Sequence, residues 1–343
     1  MATTPVGQET MRFHVDAWDP SYGASVDGSS AAVESTARVT HDVELPDASW
    51  RPIAPTPVSE PSAILFVDGV RRVDARLWIE QPGTHDATMA LCASYAAGVV
   101  CCCPSEGAHL LGLRLRRGLF TTATNASDVT TSAGTYRLHA TPDNPDASLV
   151  VLLSTALQRE LAQLELTVAA EARHVLGGRL PASVEGVGSD LLVVDGPLHG
   201  RAHLPRAIGF VKTHQATYLP PELHSMVGTL GPAQRTPVFL MGTSWDRHSW
   251  YLRLPCESTA PWAGVVRIEC PADVRPSSAI ELANLTQAVI PRFASSEYKD
   301  PRAPQNLVPI AGLERDARHR LGDVTLINRV LRSAANTGSR RVT

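Results

Sequence analysis

Two aspartates, each at the end of a short apolar run, are the residues of this sequence best suited to chemistry. Asp68 ends the stretch ILFVD, Asp195 ends LLVVD, and a glycine follows each. Such runs are typical of strands buried on both faces, and ligand sites of open α/β sheets lie at strand ends. The glycine permits a positive φ and a sharp exit from the strand. Two aspartates meeting there would repel each other unless a cation lay between them, and carboxylate oxygens suit Mg2+ or Mn2+.

Such a pair indicates hydrolysis of phosphodiesters, because these ions activate water and stabilise the leaving oxygen. The alternative interpretation of each Asp-Gly pair is an ordinary turn, which this dipeptide commonly forms. A tight metal site also needs a third carboxylate. Glu160, Glu165 and Glu171 lie on a predicted long helix, at or near the flanks of its apolar stripe. Spacing alone does not choose among them.

Three basic residues in or after apolar strands are candidates to complement the acidic pair. Lys212 follows the stretch GFV, and Arg253 and Arg267 lie within WYLRLP and VVRIEC. A basic residue inside an apolar strand is more often paired with a carboxylate than left unpaired. Near an acidic metal site it could instead hold a phosphate. For Arg267, the nearby Glu269 offers such a pairing.

The elements that must position these residues alternate between strands and helices. Residues 63–104 are predicted to form three strands, ILFVDGVRRV, DARLWIEQ and TMALCASYAAGVVCCC. Apolar residues at helical spacing predict a helix over 149–176, which Gly177 and Gly178 would end. Further strands are predicted in LLVVDG, RAIGFVKTH, VFLMGT, SWYLRLP and GVVRIECP, with WDRHSW as a turn. Helices are predicted in SSAIELANLTQAVIPRF and near the end of the chain. This order predicts an α/β or α+β fold with one mixed sheet flanked by helices, and of these the α/β class is preferred.

Composition divides the chain into an arm and one domain. Residues 1–62 are rich in Pro, Ser, Thr and Ala, which predicts extended structure. Trp18, Tyr22 and Trp50 indicate that this arm packs on its own domain or on a neighbouring subunit. Residues 63–343 form the predicted domain. With 43% hydrophobic residues, 19% charged residues and a net charge of -3, the chain is globular, and any nucleic-acid surface must be a local basic patch.

Several sequence signals are missing. The apolar runs are too short for a membrane span, and the first residues do not resemble a secretory signal, so a cytoplasmic protein is expected. The six cysteines are expected to be reduced structural thiols; adjacent residues of the CCC triplet point to opposite faces of a strand, so the triplet cannot form one ligand cluster. There is no P-loop, no zinc-finger or helix-turn-helix signature, and no G-x-S-x-G motif for a serine hydrolase.

Six stretches taken together resemble the NurA nuclease family in its bacterial form. They are WDPSYGAS, FVDG, LQRELAQLELTVAAE, VVDGPL, GFVKTHQATYL and APQNLVPIAGLERDARHRLGD. The resemblance extends from about residue 14 to about residue 332. It implies an RNase H-like core and Mn2+-dependent (or Mg2+-dependent) cleavage of DNA. It also implies a homodimer that works with a HerA-type hexameric ATPase in DNA end processing or antiviral defence.

The resemblance also implies roles for individual residues. Asp68 matches the family's first-strand aspartate, and Asp195 matches the aspartate of its DGS or DGP strand. Glu165 matches the helix glutamate best because it begins the stretch ELTVA, with Glu171 as the second choice. Asp68, Glu165 and Asp195 would then ligate the metal, and Lys212 would steady the scissile phosphate.

The end of the chain departs from the family pattern. Archaeal members use a Tyr and a His there, whereas this chain offers Asn306, Glu314 and His319 as candidates. This departure supports an alternative function, in which the protein keeps the fold as a catalytically weak or inactive scaffold that docks on the ATPase and guides DNA.

Overall fold

Eleven strands and five α-helices are formed by the residues that the computed structural model describes, which are 37–81, 85–179, 190–200, 204–214, 216–258 and 260–339. The strands are β1 (Arg38–Thr40), β2 (Ala63–Glu80), β3 (Ala87–Cys103), β4 (Gly107–Thr121), β5 (Val129–Thr131), β6 (Gly134–Ala140), β7 (Asp190–Asp195), β8 (Ala207–Val211), β9 (Phe239–Gly242), β10 (Asp246–Arg253) and β11 (Val265–Pro271). The helices are α1 (Leu149–Arg179), α2 (Pro221–Val227), α3 (Pro276–Val289), α4 (Val308–Arg320) and α5 (Val324–Ser339), and Asp47–Ser49 and Ile290–Phe293 form short 3-10 helices.

All eleven strands belong to one mixed sheet, which confirms the predicted α/β class. Their order is β1-β9-β10-β11-β8-β7-β2-β3-β4-β6-β5. The neighbours β2, β7 and β8 run parallel to one another, as do β4 and β6, and the remaining pairs are antiparallel. Val67 of β2 lies opposite Val194 of β7. The residues that follow, Asp68 and Asp195, therefore reach the same level of the sheet.

Helices cover both faces of the sheet around β2 and β7. The predicted apolar stripe of α1 is buried against one face, and its members are Leu153, Leu157, Leu161, Leu164 and Val168. On the other face, Ala279 and Ala283 of α3 and Ile310 of α4 pack in one core with Phe66 and Val193. Successive strand residues alternate between these two cores, as the pleat of a sheet requires.

The first two predicted strands are one continuous strand, β2, so the expectation that Asp68 ends a strand is wrong. Its pairing with β3 shifts between Val73 and Ala75, which marks a β-bulge at Asp74. The buried carboxylate of Asp74 accepts hydrogen bonds from side chains of β2, β3 and β6: Arg72 Nε, Ser94 Oγ and Tyr136 OH. These bonds hold the polar residue inside the sheet, and the chain does not need to turn there.

Two further boundaries differ from the predictions. Helix α1 continues through Gly177 and Gly178 to Arg179, because glycine weakens a helix without forbidding it. Residues 180–189, predicted as a loop, lie outside the described residues. Strand β10 begins at Asp246, inside the predicted turn WDRHSW, and pairs with β9 from that residue onward.

The described part of the N-terminal segment packs on its own chain. Strand β1 pairs with β9, and the Glu44 carboxylate accepts two hydrogen bonds of 2.8 Å from the buried guanidinium of Arg235. The Trp50 ring lies 6.2 Å from that of Phe239. Trp18 and Tyr22 lie outside the described residues. Over the part of the chain that the structure describes, none of the helices combines the length and apolar character of a membrane span.

Candidate metal centre

Three carboxylates meet where β2 and β7 separate. Oxygens of Asp68, Asp195 and Glu314 lie within 4.8 Å of one another. Strand β7 ends at Asp195, and Gly196 turns the chain away with a φ of +91°, as the sequence predicted for this aspartate. Glu314 comes from the middle of α4, which packs on the face of the sheet that carries both aspartates. Neighbouring parallel strands and one helix therefore build the cluster, although its members are far apart in the sequence.

A glycine on β3 lets α4 come close enough to contribute Glu314. Gly98 lies directly opposite Asp68 in the β2–β3 register. A Cβ atom at Gly98 would lie 2.8 Å from Leu313 Cδ1 of α4 and 2.9 Å from the carbonyl oxygen of Gly112. A side chain at this position would have to displace the Leu313 side chain of α4 and the Gly112 backbone of β4. Gly98 is therefore a positioning residue that sequence reasoning missed, although it interrupts the run YAAGVV.

Asp68 carries an unsatisfied oxygen at the centre of the cluster. Its Oδ1 accepts a hydrogen bond of 2.7 Å from the Gly69 amide, whereas its buried Oδ2 accepts none from the described part of the chain. Burial raises the pKa of Asp68 well above its ordinary value, and the charges of Asp195 and Glu314 raise it further, while Lys212 lowers it. An unpaired buried carboxylate oxygen is costly, and a bound cation would remove that cost.

Lys212 neutralises part of the acidic charge. Its Nζ donates hydrogen bonds to Asp195 Oδ2 at 2.7 Å and to Asn306 Oδ1 at 3.0 Å, and its side chain is only 3% exposed. Burial raises the pKa of Asp195, and the adjacent Lys212 ammonium opposes that rise. The structure thus brings Lys212 and Asn306, both candidates from the sequence, to the aspartate pair.

A second basic residue, Arg302, holds Glu314. Its guanidinium donates to both oxygens of that carboxylate, at 3.1 Å and 2.6 Å. Asp300 links this pair to Lys212, because it accepts hydrogen bonds from the Arg302 amide and from Asn306 Nδ2. The sequence analysis missed Asp300 and Arg302. Their position could have indicated them, because both residues come just before the stretch APQNL, close to the candidates Asn306 and Glu314.

The balance of charge in the cluster fits a divalent cation. The cluster and the adjacent Asp300 carry four carboxylates in all. Their basic partners are Lys212, Arg302 and the largely exposed Arg318, so one negative charge is in excess. Within the described residues, the oxygen that has no hydrogen bond belongs to Asp68, which also has no basic side chain at ion-pair distance there. Oxygen ligands with a negative excess are the chemistry that Mg2+ and Mn2+ prefer.

Glu165, the predicted helix ligand, approaches from the opposite face of the sheet. It is buried on α1, and its Oε1 lies 2.6 Å from the point where a Cβ atom of Gly69 would be. It is not one of the three carboxylates that lie within 4.8 Å of one another. Its role as a metal ligand stays a prediction. Gly69 itself does not have a positive φ, so its use is to make room for α1 rather than to end the strand.

We expect Gly69→Ala to destabilise the protein by about 1–3 kcal/mol, the usual cost of overpacking a core. The added Cβ would lie 2.6 Å from both Glu165 Oε1 and Leu161 Cδ1 and would force these two buried side chains of α1 to move. Urea unfolding measures the change. The control is Gly112→Ala in β4, where an added Cβ meets nothing within 4 Å. Equal effects of the two substitutions would contradict this explanation.

Other predicted site residues lie elsewhere. Glu171 forms an exposed ion pair with Arg114 at 2.7 Å, and Glu160 lies 3.5 Å from a ring nitrogen of His139. His319 is exposed on α4. The guanidinium of Arg253 donates only to backbone carbonyl oxygens among its hydrogen bonds in the described residues, those of Gly228, Leu230, Ala260 and Pro261.

Arg267 is part of a buried ion pair rather than of the carboxylate cluster. Its Nη1 donates to Glu269 Oε2 at 2.7 Å, as its spacing suggested. Glu269 is fully buried and also lies 3.1 Å from Arg247 Nε, while its other oxygen accepts the Leu198 amide at 2.7 Å. The three side chains hold β10, β11 and the segment after β7 together.

Comparisons with known proteins give a distant likeness among solved structures. No family model and no curated protein matches the sequence. Among solved structures, the chain is similar to the crystal structure of the NurA nuclease from Sulfolobus solfataricus, with 11% sequence identity and a TM-score of 0.39, over 83% of this chain and 88% of that chain. A likeness this distant does not determine activity, which has to be argued from the site itself.

Proposed function

We propose that the protein is a divalent-metal-dependent nuclease acting on DNA. The observation that carries this proposal is the cluster of Asp68, Asp195 and Glu314, whose carboxylate oxygens lie within 4.8 Å of one another, together with the Asp68 Oδ2 that accepts no hydrogen bond from the described residues. The resemblance of six sequence stretches to the NurA family supports the same reaction class. An RNase H-like core, as the family has, is part of the proposal, because the observed mixed sheet flanked by helices is compatible with it.

Asp68, Asp195 and Glu314 would hold the ion, and Glu165 would join them from the α1 side. A bound Mn2+ or Mg2+ supplies a water of lowered pKa and neutralises charge that develops on the phosphate. The side chains must be fixed before substrate arrives, because electrostatic catalysis depends on preorganised groups. Burial of Asp68 and Glu314, and the hydrogen bond that holds the 10% exposed Asp195 side chain to Lys212, provide this rigidity.

Lys212 and Arg302 would orient the carboxylates of Asp195 and Glu314. The Lys212 ammonium holds Asp195 in its ionised form and fixes the direction of Oδ2, and Asn306 orients the ammonium in turn. Arg302 fixes the direction of the Glu314 carboxylate through two hydrogen bonds. The predicted contact of Lys212 with the scissile phosphate remains part of the proposal.

The DNA backbone would need a local basic surface, since the chain has a net charge of -3. Strands β4 and β6 carry one: Arg116, Arg117, Arg137 and His139 line the same surface concavity. Contacts of this kind follow phosphates and do not read sequence. We therefore propose binding without sequence preference.

A homodimer that works with a HerA-type hexameric ATPase is the proposed assembly. It rests on the sequence resemblance. The lack of a P-loop in the sequence fits a division of labour in which the partner hydrolyses ATP. DNA end processing and antiviral defence are the proposed settings.

We expect Asp195→Ala to lower the cleavage of end-labelled linear DNA in Mn2+ by at least about 10³-fold, because it removes a ligand from the centre of the site. Asp195→Asn, which leaves Lys212 an oxygen to bond, should lose as much activity and retain the fold by circular dichroism. Each protein is assayed with and without the co-purified ATPase. Glu171→Gln, a change of an exposed α1 carboxylate, is the control and should cleave normally. Cleavage by a clean preparation of either Asp195 variant would overturn the assignment.

A scaffold without catalysis is the second candidate. The observation that favours it is the bidentate bond of Arg302 to Glu314, since an ion would have to share that carboxylate with the guanidinium. Calorimetric titration with Mn2+ separates the two functions. A nuclease should bind Mn2+ in a manner that Asp68→Asn abolishes, whereas a scaffold should show no Asp68-dependent binding.

A further inference from the structure

The hairpin that joins β3 and β4 carries a second group of metal-ligand side chains. One sulfur or nitrogen atom from each of Cys101, Cys103 and His109 lies within 4.8 Å of the others. The two cysteines are two residues apart on β3 and therefore face the same side. His109 lies directly opposite Cys101 in the β3–β4 register. The CCC triplet cannot act as a unit, as expected, but two of its members meet a histidine that the sequence spacing did not reveal.

This group is separated from the carboxylate cluster by the sheet. Cys101 belongs to the core beneath α1, together with Ala97 and Val99. Gly98, which lies opposite Asp68, faces α4 instead, because its missing Cβ would contact Leu313. The two sites are therefore on opposite faces of β3, and an ion bound at one would not share ligands with the other.

The geometry leaves room for an ion beside the thiols. Gly107 lies directly opposite Cys103, and a Cβ atom there would meet nothing within 4 Å. Cys101, the innermost of the three residues, is fully buried, while Cys103 and His109 are partly exposed. Glu106 Oε2 lies 3.5 Å from His109 Nε2 at the open side. An ion can thus enter from solvent and still reach a buried ligand.

The ring of His109 is already oriented. Its Nδ1 lies 3.3 Å from the carbonyl oxygen of Gly107. When Nδ1 carries the proton it donates to that carbonyl, and Nε2 is then the ligand atom, an arrangement common among metal-bound histidines. The tight hairpin, with Gly107 at a φ of +66°, keeps the carbonyl and the ring in one unit.

We propose that Cys101 Sγ, Cys103 Sγ and a ring nitrogen of His109 bind one Zn2+ ion, with the fourth position open to the Glu106 carboxylate or to water. Two thiolates and an imidazole select Zn2+ over Mg2+ and Mn2+, which prefer oxygen ligands. Both cysteines are free thiols, so binding releases their two protons to solvent, and no electrons are transferred. Burial raises the pKa of Cys101 to about 12, so the ion must displace a firmly held proton there.

The test uses the full-length protein, stripped of metal with a chelator under reducing conditions. Titration with Co2+, a spectroscopic substitute for Zn2+, should give thiolate-to-metal charge-transfer absorption that saturates at one equivalent and is displaced by Zn2+. Cys103→Ser and His109→Gln, both changes at partly exposed positions, should each weaken binding by at least about 100-fold. The matched control is Cys102→Ser, because Cys102 packs in the core on the other face of the sheet and should leave binding unchanged.

Three results would overturn the proposal. They are a wild-type protein without charge-transfer absorption, a loss of binding in Cys102→Ser equal to that in Cys103→Ser, and fewer than six free thiols when protein purified without reductant is unfolded in the presence of a chelator, which would indicate a disulfide in place of a site. Asp195→Ala should bind Co2+ at the thiols like the wild type. Failure of the nuclease assay would therefore leave the Zn2+ proposal intact. Failure of the Co2+ titration would likewise leave the proposed nuclease function intact.

Discussion

Asp68→Asn is expected to abolish metal-dependent cleavage while it stabilises the metal-free protein. Asparagine keeps the volume of aspartate and an acceptor for the Gly69 amide, but it removes the charge at the oxygen that has no hydrogen bond in the described residues. The site loses its central ligand, so activity should fall by at least about 10³-fold. The same change relieves the cost of burying a charge beside Asp195 and Glu314.

The pH dependence of this stabilisation has a defined sign. Burial raises the pKa of Asp68 in the folded chain, whereas the unfolded chain has an ordinary value of about 3.9. Between the two values the folded state holds a proton that the unfolded state has lost, so the free energy of unfolding falls as the pH rises through this window. The contribution of Asp68 is fully present below the unfolded pKa and is lost above the folded one. Asp68→Asn avoids that loss, and its advantage over the wild type should grow with pH.

Thermal unfolding at several pH values, with and without Mn2+, measures both effects. The variant avoids the cost of ionising Asp68 in the folded state, so the metal-free variant should melt above the wild type at neutral pH. Mn2+ should raise the melting temperature of the wild type and leave that of the variant unchanged. A variant that is less stable than the wild type at every pH, or one that responds equally to Mn2+, would refute this account of the site.

Glu269→Gln is expected to be the most destabilising of the substitutions considered. The buried carboxylate faces two largely buried guanidinium groups, those of Arg247 and Arg267, at 3.1 Å and 2.7 Å. Burial already lowers the pKa of Arg247, and the charge of Glu269 opposes that effect. Gln keeps the size but not the charge, and removing one partner of a buried ion pair costs about 3–5 kcal/mol.

Urea unfolding at neutral pH measures this cost. Glu171→Gln is the control, because it removes a carboxylate of the same type from an exposed ion pair and should cost about 1 kcal/mol or less. If Glu269→Gln also lost no more than that, the guanidinium groups would have to reach solvent by a small rearrangement, and the network would not be a structural link. Mn2+ binding at Asp68 should survive this substitution in any protein that remains folded.

The sequence predicted the elements of the centre of the fold well. The apolar stripe of α1 and the run LLVVD contain the information locally, because hydrophobic spacing reflects which side of an element is buried. The continuity of β2 was missed because the polar stretch around Asp74 looks like a turn. Its partners, Ser94 and Tyr136, come from other strands and are invisible to a local pattern.

The sequence alone determined the α/β class and the pair Asp68 and Asp195, each of which lies between an apolar run and a glycine. Only the tertiary structure decided that Glu314 completes the cluster of three, with Arg302 as its partner and Gly98 making room for its helix. The physical reason is that the pleat alternates the faces of successive strand residues, so the sequence around each aspartate specifies which face of the strand it lies on. A helix residue reaches the site only through the packing of α4 on the sheet, and contacts between residues more than 200 positions apart set that packing.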